Sequence, residues 1–183
     1  MSNGGLRFVV DASVGIKLFV DEPLSEQAHA LFAKLSEDPP AELYIPDLFY
    51  IECANILLKY MRRFGRSLED SQADLADLNT LALKPVSTAE LMEGALVLAS
   101  QKNLTAYDAC YAVLAQRLNI QIITAMSQWH RRWSGRSGWE ISSETISTLR
   151  PDPTRCAFGG RCRQPPTAHA RRVYLSARGG DAV

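Results

Sequence analysis

No stretch of this sequence stays apolar for the roughly 18–20 residues a helix needs to cross a bilayer, so no helical membrane span is expected. The polar start Met1-Ser2-Asn3-Gly4-Gly5 has no apolar signal core, and the expected location is the cytoplasm. Cysteine is scarce, with 4 in 183 residues, which argues against a disulfide framework. Cys53 and Cys110 stand in apolar helical stretches and read as small hydrophobes. Cys156, Cys162 and His169 are of zinc-ligand type, but their spacing fits no common finger. Net charge is absent too, since 20 Lys+Arg balance 20 Asp+Glu. That zero conceals an asymmetry. Residues 1–125 hold 10 basic against 16 acidic side chains, whereas residues 126–183 hold 10 against 4. All five lysines precede residue 103, and every basic residue after 125 is arginine.

What is present is an alternation of short apolar runs with helical patterns. Leu6-Arg7-Phe8-Val9-Val10 reads as a buried strand ending at Asp11. Ser25 is the expected N-cap of a helix to about residue 35, with Ala28, Leu31, Phe32 and Leu35 on one face. After Pro39-Pro40, Leu43-Tyr44-Ile45 makes a second strand, and Pro46 is expected to open a long helix that stops near Gly65. Ser67 caps another helix, residues 83–86 form a strand, and Thr88 begins a helix to about residue 101. Thr105 caps the next helix, before a strand at residues 120–124 and an expected edge strand at 139–143. Strands alternating with helices predict an α/β fold, a parallel sheet of four or five strands covered on both faces. The domain is expected over residues 6–145. From residue 150 to 183 periodicity gives way to Arg, Pro and Gly, a composition too poor in apolar residues to build a core, so a poorly ordered tail is expected.

Three acidic residues interrupt otherwise apolar stretches: Asp11, Glu52 and Asp108. A lone carboxylate in such surroundings costs several kcal/mol unless a cation or donors compensate it. Three of them suggest a common ligand, most simply a divalent metal. Each has an ordinary alternative. Asp11 could cap the segment that follows, Glu52 could lie on a solvent stripe with Asn55 and Lys59, and Asp108 fits a Thr-x-x-Asp capping box with Thr105. Against the first, Asp11 stands at the carboxyl end of a strand, where open parallel sheets bind ligands, and Ser13 is placed to add a hydroxyl. Against the second, three polar positions in twelve are few for a surface helix.

Val9-Val10-Asp11-Ala12-Ser13, then Pro46-Asp47-Leu48 with Glu52-Cys53-Ala54-Asn55, then Thr105-Ala106-Tyr107-Asp108-Ala109, then Ile122-Ile123-Thr124-Ala125 resemble the ordered motifs of PIN domains. The likeness extends over about residues 6–126 and is nearest to the VapC-type toxins of toxin–antitoxin pairs. It implies a three-layer α/β/α fold and a Mg²⁺- or Mn²⁺-dependent endoribonuclease, usually dimeric and inhibited by a cognate antitoxin. Asp11, Glu52 and Asp108 would be the catalytic acids, Asp11 and Asp108 the metal ligands, and Ser13, Asn55 and Thr105 the supporting polar groups. Where the family usually has a further aspartate, this chain has Met126, a poor ligand for a hard cation. The alternative is therefore an impaired PIN-fold protein that binds antitoxin or RNA without efficient cleavage. The resemblance and the composition break at the same place, as a shift of reading frame near residue 126 would make them. A phosphatase with Asp11 as nucleophile would want a second aspartate where Ser13 stands.

The first 125 residues are acidic overall, so RNA affinity must come from local basic groups, for which Lys59, Arg62, Arg63 and Arg66 are the candidates. The same residues also suit a solvated helix C-terminus favoured by the dipole. Phe49, Tyr50, Leu57 and Tyr60 exceed what one helix face needs and predict a surface for self-association.

Overall fold

The computed structural model describes residues 6–37 and 39–125. Met126, residues 139–143, the Cys156, Cys162 and His169 set and the expected tail at 150–183 lie outside them. Strand β1 (Arg7–Val10) is followed by a single helical turn, α1 (Ala12–Gly15), and a 3-10 turn at Ile16–Leu18. Helix α2 (Ser25–Ala33) leads through a second 3-10 turn to β2 (Glu42–Pro46) and the long helix α3 (Leu48–Phe64). Then come α4 (Leu68–Thr80), β3 (Lys84–Val86), α5 (Thr88–Lys102), α6 (Ala106–Leu118) and β4 (Gln121–Ile123).

All the described strands pair in parallel, in the order β3-β2-β1-β4. Val9 is opposite Tyr44 on one side and Ile122 on the other. The chain thus moves outward from β1 through β2 to β3, then returns to the opposite side of β1. That reversal opens a crevice at the carboxyl ends of β1 and β4, the usual ligand position in such sheets. At their carboxyl ends both strands are apolar and buried, as a sheet covered on two faces requires: Val9, Val10, Ile122 and Ile123 expose nothing.

Close packing at the crevice depends on one glycine. A Cβ on Gly15 would lie 2.9 Å from Cε2 of the buried Phe49 ring and closer still to its Cζ, so α1 rests directly on α3. Gly15→Ala is expected to overpack this contact and destabilise the domain by about 1–3 kcal/mol. Chemical denaturation measures it, and an unchanged midpoint would contradict the packing.

Three local expectations are corrected. Ser25 does not cap α2. Its hydroxyl instead donates to the Val20 carbonyl (2.7 Å) and accepts from the Glu22 N–H (3.0 Å), while Leu24, with a positive φ of 74°, precedes the helix. Pro46 ends β2 opposite Val86 rather than opening α3, because Asp47 N–H donates to the Val86 carbonyl and carries the ladder one residue further. The expected association surface is also misplaced. Phe49 and Leu57 are core residues, Tyr50 is partly buried, and Tyr60 donates its hydroxyl to Glu22, which also pairs with the buried Lys17 at 2.8 Å. The exposed large apolar side chains of α3 are Ile51, Leu58 and Phe64 instead. Gly65 stops the helix as expected, in the left-handed conformation at φ 68°.

Candidate active site

Asp11 immediately follows β1, and its N–H donates to the Ile123 carbonyl at 3.0 Å, which fixes it between β1 and β4. Its side chain caps α1 by accepting the Ser13 N–H at 2.8 Å. Capping and a site role are therefore compatible rather than alternatives. Ser13 joins the two sides of the crevice, because its hydroxyl accepts from Ala125 N–H at 3.1 Å and lies 3.4 Å from the buried Thr124 hydroxyl.

Glu52 lies half-buried on α3. The Tyr111 hydroxyl, from α6, donates to its Oε2 at 2.5 Å. Cys53, next in the chain, is buried and donates its thiol to the Ala12 carbonyl at 3.9 Å, tying α3 to the turn after Asp11. Asn55 and Lys59 are exposed, so the polar stripe passes from the site out to solvent, and no Glu52–Lys59 ion pair forms.

Asp108 occupies the third position of α6. Its N–H donates to the Thr105 hydroxyl at 3.1 Å, so Thr105 is the cap that its position predicts. The return bond of a capping box, from the Thr105 N–H to the Asp108 carboxylate, is not formed. The carboxylate instead acts through its charge on Asp11 and Glu52.

The three acids sense one another. Burial pushes the Asp11 carboxyl up to about 6, against the hydrogen bonds from Ser13, and the charge of Asp108 raises it further. Burial likewise raises Glu52 to about 7, opposed by the Tyr111 bond and reinforced by the charges of Asp11 and Asp108. Among the described residues no Lys or Arg pairs with any of them, all the ion pairs lying elsewhere. Partly buried carboxylates that repel one another and lack a countercharge suit a divalent cation. Among the described residues no three His, Cys, Asp or Glu close into a ready-made cage. A hydrated Mg²⁺, which keeps several waters and takes few carboxylates, fits such a set better than a fully protein-ligated ion would.

Of the four candidate basic groups, Lys59, Arg62 and Arg63 are exposed toward the end of α3. Arg66 is half-buried and held against Asp74, a buried acid of α4, so it braces two helices.

The PIN domain family model matches residues 8–131 of the sequence. The chain belongs to the PIN-domain family. Ribonuclease VapC3 of Pyrobaculum aerophilum is 36% identical to it over 124 residues, which cover 65% of this chain and 88% of that protein. The crystal structure of PAE2754 from Pyrobaculum aerophilum has a similar fold, with a TM-score of 0.54 and 22% identity, over 79% of this chain and 95% of the other. A toxin–antitoxin complex from Klebsiella pneumoniae gives a TM-score of 0.51 and 19% identity, over 73% and 96%. The PIN family reached from the motifs and the parallel α/β/α fold are thus both found.

Sequence reasoning missed Tyr111 and Thr124 as parts of the site. Tyr111 sits in an apolar helical run, where it reads as core. Its tie to Glu52 spans 59 residues and leaves no local pattern.

Proposed function

We propose that this PIN-domain protein is the endoribonuclease toxin of a type II toxin–antitoxin pair, cleaving RNA phosphodiester bonds with a divalent ion, Mg²⁺ or Mn²⁺. The observation that carries this reading is the electrostatic coupling of Asp11, Glu52 and Asp108 without a countercharge, with Asp11 beside the β1/β4 crevice, in a chain 36% identical over 124 residues to a ribonuclease. Asp11 and Asp108 would hold the ion and Glu52 would complete the acidic set, with Ser13 and Thr105 as positioning groups. When bound, the ion supplies charge neutralisation at the phosphate and a more acidic water as nucleophile.

Substrate binding is assigned to α3. Glu52, Asn55, Lys59 and Arg62 recur at intervals of three and four, so they lie along one stripe. At 1.5 Å per residue the stripe is about 15 Å long, enough to follow a few nucleotides from the site toward positive charge. Arg63 extends the basic end. An antitoxin partner is supported by the likeness to a toxin–antitoxin complex, and the acidic crevice is the surface such a partner would block. Self-association is assigned to the exposed Met92, Leu96 and Val97 of α5, in place of the residues expected from sequence. No helix of the described residues is long and apolar enough to cross a membrane, which accords with action in the cytoplasm.

A cleavage assay on single-stranded and structured RNA tests the reading. Cleavage is expected with Mg²⁺ or Mn²⁺ and is expected to vanish with a chelator. Cleavage that persists in chelator would refute the metal-dependent mechanism.

A further inference from the structure

We propose that Tyr111 is a positioning residue of the nuclease site, whose hydroxyl holds one oxygen of Glu52 so that the carboxylate presents a single oxygen, Oε1, to the metal site. The inference rests on the nuclease reading above and assigns a role to a residue outside its acidic set. Tyr111 is only 1% exposed, so water cannot serve its hydroxyl, and a buried phenol needs a protein partner. The partner it has is no backbone carbonyl but Oε2 of Glu52, at 2.5 Å, on a different helix. Among the described residues Glu52 Oε1 accepts no hydrogen bond.

The placement on α6 supports a role beyond filling the core. Asp108 and Tyr111 are three residues apart, so they lie on the same face of that helix, one turn from each other. One rigid element therefore brings an acid to the crevice and orients another acid from α3. The ring fixes the direction of the hydroxyl, because it is packed in the core with Val10, Phe49 and Cys53 among its members. A phenol donating to a carboxylate makes a charge-assisted bond, stronger and more directional than a neutral one. Loss of the hydroxyl would leave Glu52 free to turn, with both oxygens competing for the same position. Partners of this kind typically change metal affinity or activity by about 10–100-fold when removed.

The test is Tyr111→Phe in the full chain, which keeps the ring and deletes only the donor. Mn²⁺ binding followed by calorimetry or electron paramagnetic resonance should weaken by about 10–100-fold. Cleavage should fall in step and recover at raised Mn²⁺, with KM for RNA unchanged at saturating metal. In a Glu52→Gln background the same substitution should cost little further Mn²⁺ affinity, because its effect passes through Glu52. An equal cost in both backgrounds would mean a general structural role and overturn the proposal. So would unchanged Mn²⁺ affinity in folded Tyr111→Phe beside a binding wild type. Wild-type protein that binds no Mn²⁺ would instead overturn the nuclease reading, and this inference with it. Should Tyr111→Phe not fold, the wild-type Tyr111 hydroxyl proton can be followed by nuclear magnetic resonance. It should shift on adding Mg²⁺ and in Glu52→Gln, and a signal indifferent to both would overturn the proposal.

Discussion

Asp11→Asn is expected to lower RNA cleavage by more than about 100-fold while leaving the domain as stable as the wild type at pH 8, or more so. The two effects have one cause. Asp11 is 5% exposed, and burial is the chief reason its carboxyl rises to about 6. At pH 8 the metal-free fold must therefore carry a charge that it solvates poorly. Asparagine removes that charge yet keeps an oxygen to accept the Ser13 N–H, so the cap of α1 survives. It cannot supply the negative charge that holds a hard cation. Parallel assays of cleavage and thermal unfolding measure both halves. A stability loss as large as that of a core truncation would show that Asp11 serves the fold rather than the chemistry.

A pH-dependent response to metal is the second large effect. Asp11 and Glu52 have folded pKa values above their ordinary ones, at about 6 and about 7. Between about pH 4 and pH 7 the folded state then binds more protons than the unfolded one, so stability falls as pH rises through that window. Asp11 alone accounts for about 3 kcal/mol, a decrease in Tm on the order of 5–10 °C. The carboxyls of Glu42 and Asp47 are held low by their hydrogen-bond partners and act in the opposite sense, but their window lies below it. Burial lowers the pKa of His29, which also opposes the trend below its ordinary value of 6.5. In chelator, Tm should thus be lower at pH 8 than at pH 5. Millimolar Mg²⁺ should restore it at pH 8 and do little at pH 5, where the carboxyls hold protons. The slope should flatten in Asp11→Asn, a comparison that leaves His29 untouched. A wild-type Tm that rises from pH 5 to pH 8 in chelator would contradict the burial of these acids.

The acids were legible because charge is conspicuous against Val9-Val10 or Ala109-Cys110, and because strand ends and helix starts can be read from short patterns. Helix α3 was harder. It is apolar nearly all round, so its sequence does not say whether Phe49 and Leu57 or Ile51 and Leu58 turn inward. That depends on the sheet and on Gly15, which meets Phe49. Pro46 misled because proline suits a first helical position as well as a strand end, and only the pairing with Val86 decides between them. Ser25 misled because the Val20 carbonyl and Glu22 N–H occupy its hydroxyl. The Tyr111–Glu52 bond had no sequence signal, since a partner on another helix creates no periodicity.

The bond from Asp11 N–H to the Ile123 carbonyl also ties the site to the order in which the chain is made. During synthesis Asp11 and Glu52 leave the ribosome early, whereas β4 emerges after every other described element. Until β4 inserts beside β1, the Asp11 N–H and the Ser13 hydroxyl lack the partners that they have in the fold. A pairing this distant in sequence is also intrinsically slow to form. A site of this topology is thus assembled only after β4 has been made, and a nascent chain that stops short of β4 lacks the frame that holds its acids together.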